Sequence, residues 1–255
     1  MLLKHIMSLY RGEIPEAGRV TPGRLSMKTE ILSRLGRAMP FVLTEEALEL
    51  VVDLSPDGYE EGVILDRLRD FRLPAPVSWF EFEMGTPDDR ERIGVLIRGG
   101  SGEPFGIIPF LVRGGVLFES FCMLEVDIEK GRVRLAVNTE IFNRYVDQII
   151  VSGADQSREF ALQKAEEGKQ VFSEVAAMGA LYACGATRLM GAKNAPVSGV
   201  AEPLMSRQER RALTRKGGDI ADTPPALTRI VLNAEGRAHV ESMRDGSDGR
   251  PRRAH

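Results

Sequence analysis

Between Val77 and Val137, apolar and polar residues alternate with a period of two, and turn-forming residues interrupt the alternation at regular intervals. That spacing suits pleated strands and does not suit a helix. Strands are expected at residues 77–83, 92–98, 106–112, 115–125 and 131–137. Between them lie Thr86-Pro87-Asp88-Asp89, Gly99-Gly100-Ser101-Gly102, Gly114-Gly115 and Glu129-Lys130-Gly131, all chemically apt for turns. Five consecutive strands joined this way make an antiparallel meander.

Helical spacing flanks this stretch on both sides. Met27, Ile31, Leu32 and Leu35 recur at helical intervals within Ser26–Arg37, after a brief helical start to the chain. Thr44 is an N-cap type residue followed by Glu45 and Glu46, where carboxylates suit the helix dipole, so a helix is expected from there to about Asp53. Tyr59–Asp70 reads as a third short helix, and Thr139–Val151 as a further one. From Ser157 to about Met190 runs a long helix marked by Phe160, Ala161, Leu162, Ala165, Val171, Phe172 and Val175. Its second half is apolar all round and carries Ala176, Ala177, Gly179, Ala180 and Ala183, which allow close packing on the sheet. Beyond Gly191 only Pro225–Leu232 and Arg237–Met243 look structured. The expected fold class is α+β: a five-stranded antiparallel meander flanked by N-terminal helices and a long helix in the C-terminal half. Residues 1–190 form the domain, and residues 191–255 an Arg/Gly/Pro-rich, partly ordered basic extension.

An apolar fraction of 43% and a charged fraction of 28% permit a real core. The two cysteines, Cys122 and Cys184, sit in apolar runs and read as reduced thiols, which suits a cytoplasmic protein. Val175–Ala186 is well short of the ~20 residues that a membrane-spanning helix needs, so no membrane partner is expected. The formal net charge of −3 is uneven: from Glu202 onward there are 11 Lys/Arg against 8 Asp/Glu. A basic end attracts polyanions.

No nucleophile elbow, phosphate loop, dinucleotide turn, C-x-x-C or H-E-x-x-H pattern is present, and His5, His239 and His255 are scattered. Neither a catalytic site, a cofactor nor a metal is therefore expected. Alternation puts Trp79, Glu81 and Glu83 on one strand face, and a tryptophan beside carboxylates can cup a basic or amphipathic peptide. These three are the candidate peptide-binding residues. Glu81, Glu83, Glu125 and Asp127 also offer carboxylates to a metal-dependent hydrolase, a rival reading. The candidate nucleic-acid contacts are Arg207, Arg210, Arg211 and Arg215 in one basic run and Arg250, Arg252, Arg253 and His255 at the end, suited to RNA or DNA phosphates.

Three stretches carry a family resemblance: Leu73-Pro74-Ala75-Pro76-Val77-Ser78-Trp79-Phe80-Glu81-Phe82, Ala177-Met178-Gly179-Ala180-Leu181-Tyr182-Ala183-Cys184, and Arg250-Pro251-Arg252-Arg253-Ala254-His255. Together they resemble the type V-A anti-CRISPR family whose members block production of the effector nuclease. In that family the last block continues into a Trp- and Arg-containing strand, whereas this chain stops at His255. The resemblance implies a phage- or mobile-element-encoded binding protein in the bacterial host cytoplasm. It would recognise the N-terminal nascent peptide of the effector, on a ribosome-associated complex and possibly with RNA, and promote loss of the messenger RNA.

Overall fold

The elements in chain order are α1 (Leu2–Tyr10), β1 (Met39–Leu43), α2 (Glu45–Asp53), α3 (Glu61–Arg69), β2 (Val77–Met84), β3 (Glu91–Gly100), β4 (Glu103–Arg113), β5 (Val116–Glu119), β6 (Cys122–Asp127), β7 (Arg132–Val137), α4 (Thr139–Ser152), α5 (Arg158–Gly191), β8 (Val197–Glu202) and β9 (Leu227–Leu232). They come from a computed structural model that describes residues 2–10, 33–53, 55, 58–86, 89–100, 102–113, 116–152, 157–192, 195–203, 226–234, 236–238, 240 and 241. Residues 208, 211, 212 and 215 are described as well. Of the helix expected over 26–37, residues 33–37 are helical and the rest lie outside the described residues.

The expected meander forms the heart of one mixed sheet, whose order is β7-β6-β4-β3-β2-β1-β9-β8, with β5 pairing β4 beside β6. One expected strand is corrected. Residues 115–125 do not run straight but break at Ser120–Phe121, giving β5 and β6. The Ser120 hydroxyl donates to the Cys122 carbonyl (2.8 Å) and accepts from its N–H (3.1 Å), which withdraws both groups from the ladder. Phe121 turns inward against Phe142, Tyr145 and Phe172. Both pieces pair with the same edge of β4, β6 at Phe105–Ile107 and β5 at Phe110–Arg113. Pro109 falls in the gap between them, where a missing N–H is tolerated.

Three strands outside the meander enlarge the sheet. β1 runs parallel to both β2 and β9, while β8 returns antiparallel to β9. Parallel neighbours need a crossover, and α2 and α3 supply it between β1 and β2. Two of the sheet's strands thus come from beyond residue 190, and Val197, Ile230, Leu232 and Val240 pack into the main core.

Alternation decides which side chain meets which layer. Phe80, Phe82, Ile93, Val95, Ile97, Ile107 and Leu111 face α2, α3 and the C-terminal half of α5. Gly179 lets that helix approach, since a Cβ there would collide with Val95. On the opposite face Trp79, Leu96, Phe110 and Val112 are covered by Leu2, Leu3, Ile6 and Met7 of α1. The N-terminal half of α5 pairs with α4 through Val146, Ala161 and Ala165. Among the described residues no helix is long and apolar enough to cross a membrane.

Candidate functional site

Trp79 and Glu81 do share a face, as alternation requires, but that face is not open to a peptide: their exposures are 0% and 4%. α1 lies over it. The Glu81 carboxylate accepts from the Leu2 and Leu3 N–H groups (2.5 and 3.2 Å) and from the Trp79 indole N–H (3.3 Å). A carboxylate at a helix N-terminus satisfies orphan amides and the positive end of the dipole. Trp79 and Glu81 are thus structural, and the expected peptide surface made of them is withdrawn. Glu83 alone of the three is exposed, and it binds Arg92 (3.1 Å) and Arg90 (3.5 Å).

The carboxylates of the hydrolase reading are not brought together. Glu125 and Asp127 lie on β6, separated from β2 by β3 and β4. Glu125 is held by the Arg134 guanidinium (2.5 and 3.0 Å) and Asp127 by the Lys130 ammonium (2.8 Å), which keeps the Asp127 carboxyl below its usual range. Among the described residues no three His, Cys, Asp or Glu side chains are grouped to hold a metal. Of the basic residues, Arg211 and Arg215 are exposed and helical, while Arg207, Arg210, Arg250, Arg252, Arg253 and His255 lie outside the described residues.

What the fold does build is a groove of about 790 Å³ where β1, β2 and β9 reach the same end of the sheet. Crevices beyond the carboxyl ends of parallel strands are the usual binding places of open sheets, and the volume falls within the ~300–1,000 Å³ of ligand pockets. Thr44 sets its geometry. Its N–H donates to the Ile230 carbonyl (3.1 Å), its hydroxyl accepts from the Ala47 N–H (3.4 Å), and its carbonyl accepts from the Leu48 N–H (2.9 Å). The end of β1 is thereby tied to β9 and to the first turn of α2.

Leu43, Leu48, Val52, Phe82, Met84 and Val240 give the groove apolar walls. The carboxylates of Glu45, Glu49, Asp53 and Glu83 line it against two guanidiniums, Arg90 and Arg229, while the Glu81 side chain is covered by α1. Arg229 is already engaged by Glu202 through two bonds (2.7 and 3.0 Å), which lowers the Glu202 carboxyl below its usual range. The groove is therefore acidic. Of its charged lining, the reading from sequence had singled out only Glu83 as a site residue. One signal was available: Glu45, Glu49 and Asp53 recur every four residues, which places them on one stripe of α2. Nothing in the sequence announced that β2 and β9 would bring Glu83 and Arg229 to that stripe.

Comparison of the chain with family models, with curated proteins and with solved structures returned no match. The groove itself must carry the functional reading.

Proposed function

We propose that the protein is a binding module whose acidic groove receives a basic, partly apolar peptide segment. On the resemblance carried by residues 73–82, 177–184 and 250–255, that segment is the N-terminal nascent peptide of a type V-A CRISPR effector, and its capture leads to loss of the effector's messenger RNA. The protein would then act in the cytoplasm of a bacterial host as the product of a phage or related element. The observation that carries the reading is the groove: apolar walls to take side chains, and a carboxylate rim to select cations and repel acidic segments. This moves the peptide site from the face of Trp79 to the open end of the same strand, where Glu83 remains part of it.

Capture of ribosome–nascent-chain complexes bearing the first residues of such an effector is the test. Reversing charge on the rim with Asp53→Lys plus Glu49→Lys is expected to weaken capture at least about tenfold, equivalent to ~1.4 kcal/mol. Capture that is indifferent to the double change would remove the groove from the mechanism. Capture that instead follows the RNA alone and collapses between ~50 and ~200 mM salt would favour phosphate binding through the basic C-terminal region.

A further inference from the structure

We infer that Arg90 holds, within the chain, the place that a lysine or arginine side chain of the bound peptide takes, so that binding displaces it. The inference rests on the groove reading above.

Arg90 spans the groove mouth. One of its terminal nitrogens lies 3.4 Å from Glu45 at the start of α2, and the other lies 3.5 Å from Glu83 near the end of β2. Both contacts sit at the long end of ion-pair geometry, and the side chains are open to water: 46% for Arg90, 75% for Glu45 and 45% for Glu83. Pairs of this kind contribute little to stability and exchange readily. The other cations nearby are held differently. Arg92 engages the second oxygen of Glu83 at 3.1 Å, so Glu83 keeps a partner whichever cation occupies the first. Arg229 is locked by its two bonds to Glu202. Arg90 is thus the loosest of the three and the one that bridges the two walls. A peptide cation in the same position would satisfy Glu45 and Glu83 equally well, and its apolar neighbours would add burial against the half-buried Val52 and Met84, which Arg90 does not supply. A peptide without that cation has nothing to offer in exchange. Arg90 would thereby compete, within the chain, with a cationic segment for Glu45 and Glu83.

The test titrates the full-length chain with two labelled synthetic decapeptides, one of alternating Lys and Leu and one of alternating Gln and Leu, reading fluorescence anisotropy. Arg90→Gln is expected to tighten the Lys peptide about three- to tenfold, to leave the Gln peptide no better bound than before, and to exceed the effect of Arg92→Gln. If the unaltered chain binds the Lys peptide but Arg90→Gln leaves its affinity unchanged or weaker, the inference fails and the groove reading stands. Equal tightening of both peptides would make Arg90 a steric plug without selectivity and overturn it too. If the unaltered chain binds neither peptide, the groove reading falls and the inference falls with it.

Discussion

Glu81 is a charged residue with almost no water around it, yet three N–H donors converge on its two oxygens. Removing the acceptor strands two helix amides and an indole N–H in an apolar layer, and an unpaired buried donor costs about 1–3 kcal/mol. Glu81→Leu is therefore expected to destabilise the chain by ~3 kcal/mol or more. Trp79, the sole tryptophan, is a built-in reporter for urea unfolding, and a loss under ~1 kcal/mol would contradict the assigned role. The sequence showed that Trp79 and Glu81 share a face. It could not show that the face is dry, because the cover comes from α1, 79 positions away in the chain. The cysteines behave as expected of small core hydrophobes. Burial pushes the Cys122 thiol up from 9.0 to about 11, with the Lys169 ammonium opposing, and burial also raises Cys184. A raised thiol pKa leaves stability intact below about pH 9 and erodes it as pH climbs toward 11, because the unfolded thiol ionises first. Iodoacetamide at pH 8 should leave both thiols largely unmodified in the folded chain and label both once urea unfolds it.

Helix α5 has two neighbours: its N-terminal half packs on α4 and its C-terminal half on the sheet. Its start is fixed by Ser157, whose hydroxyl accepts from the Phe160 N–H at 3.2 Å. Its closest approach to the sheet depends on Gly179, where a Cβ would strike Val95. Gly179→Ala is expected to cost about 1–3 kcal/mol by overpacking. Gly62 in α3 is the contrasting case: a Cβ there meets nothing within 4 Å, so Gly62→Ala should be neutral or stabilise by up to ~1 kcal/mol. Thermal melts of the two variants should move in opposite directions or differ by several degrees; equal shifts would mean that Gly179 is not a packing requirement. These helices were legible from the spacing of apolar residues and caps, and the meander from its alternation and turn residues. The β5–β6 break was not, because Ser120 and Phe121 continue an apolar strand pattern and only the aromatic cluster with Phe142, Tyr145 and Phe172 gives Phe121 a reason to leave it.

At the scale of the whole molecule, the pairing of β1 with both β2 and β9 is what makes the groove, and it joins residues near position 40 to residues near 230. Alternation within a short strand says that it has two faces; it does not say which strand will lie beside it, so this union was beyond what the sequence alone could reveal. It also has a consequence for the chain after Gly191. Cutting there removes β8, β9 and Val240, which takes away one of the two partners of β1 and the anchor that Ile230 gives to Thr44. Val197, Ile230, Leu232 and Val240 would leave the core, each worth about 1.5–3 kcal/mol when fully buried. Their sum, ~6–12 kcal/mol, rivals the ~5–15 kcal/mol that holds a typical domain together. A chain ending at Gly191 is accordingly expected to lose its cooperative melt, whereas one ending at Glu241 keeps it. Calorimetry on the pair distinguishes the outcomes: a sharp transition in the shorter chain would show that residues 1–191 fold on their own, and the groove would then be an accessory built onto a finished domain rather than a product of the sheet itself.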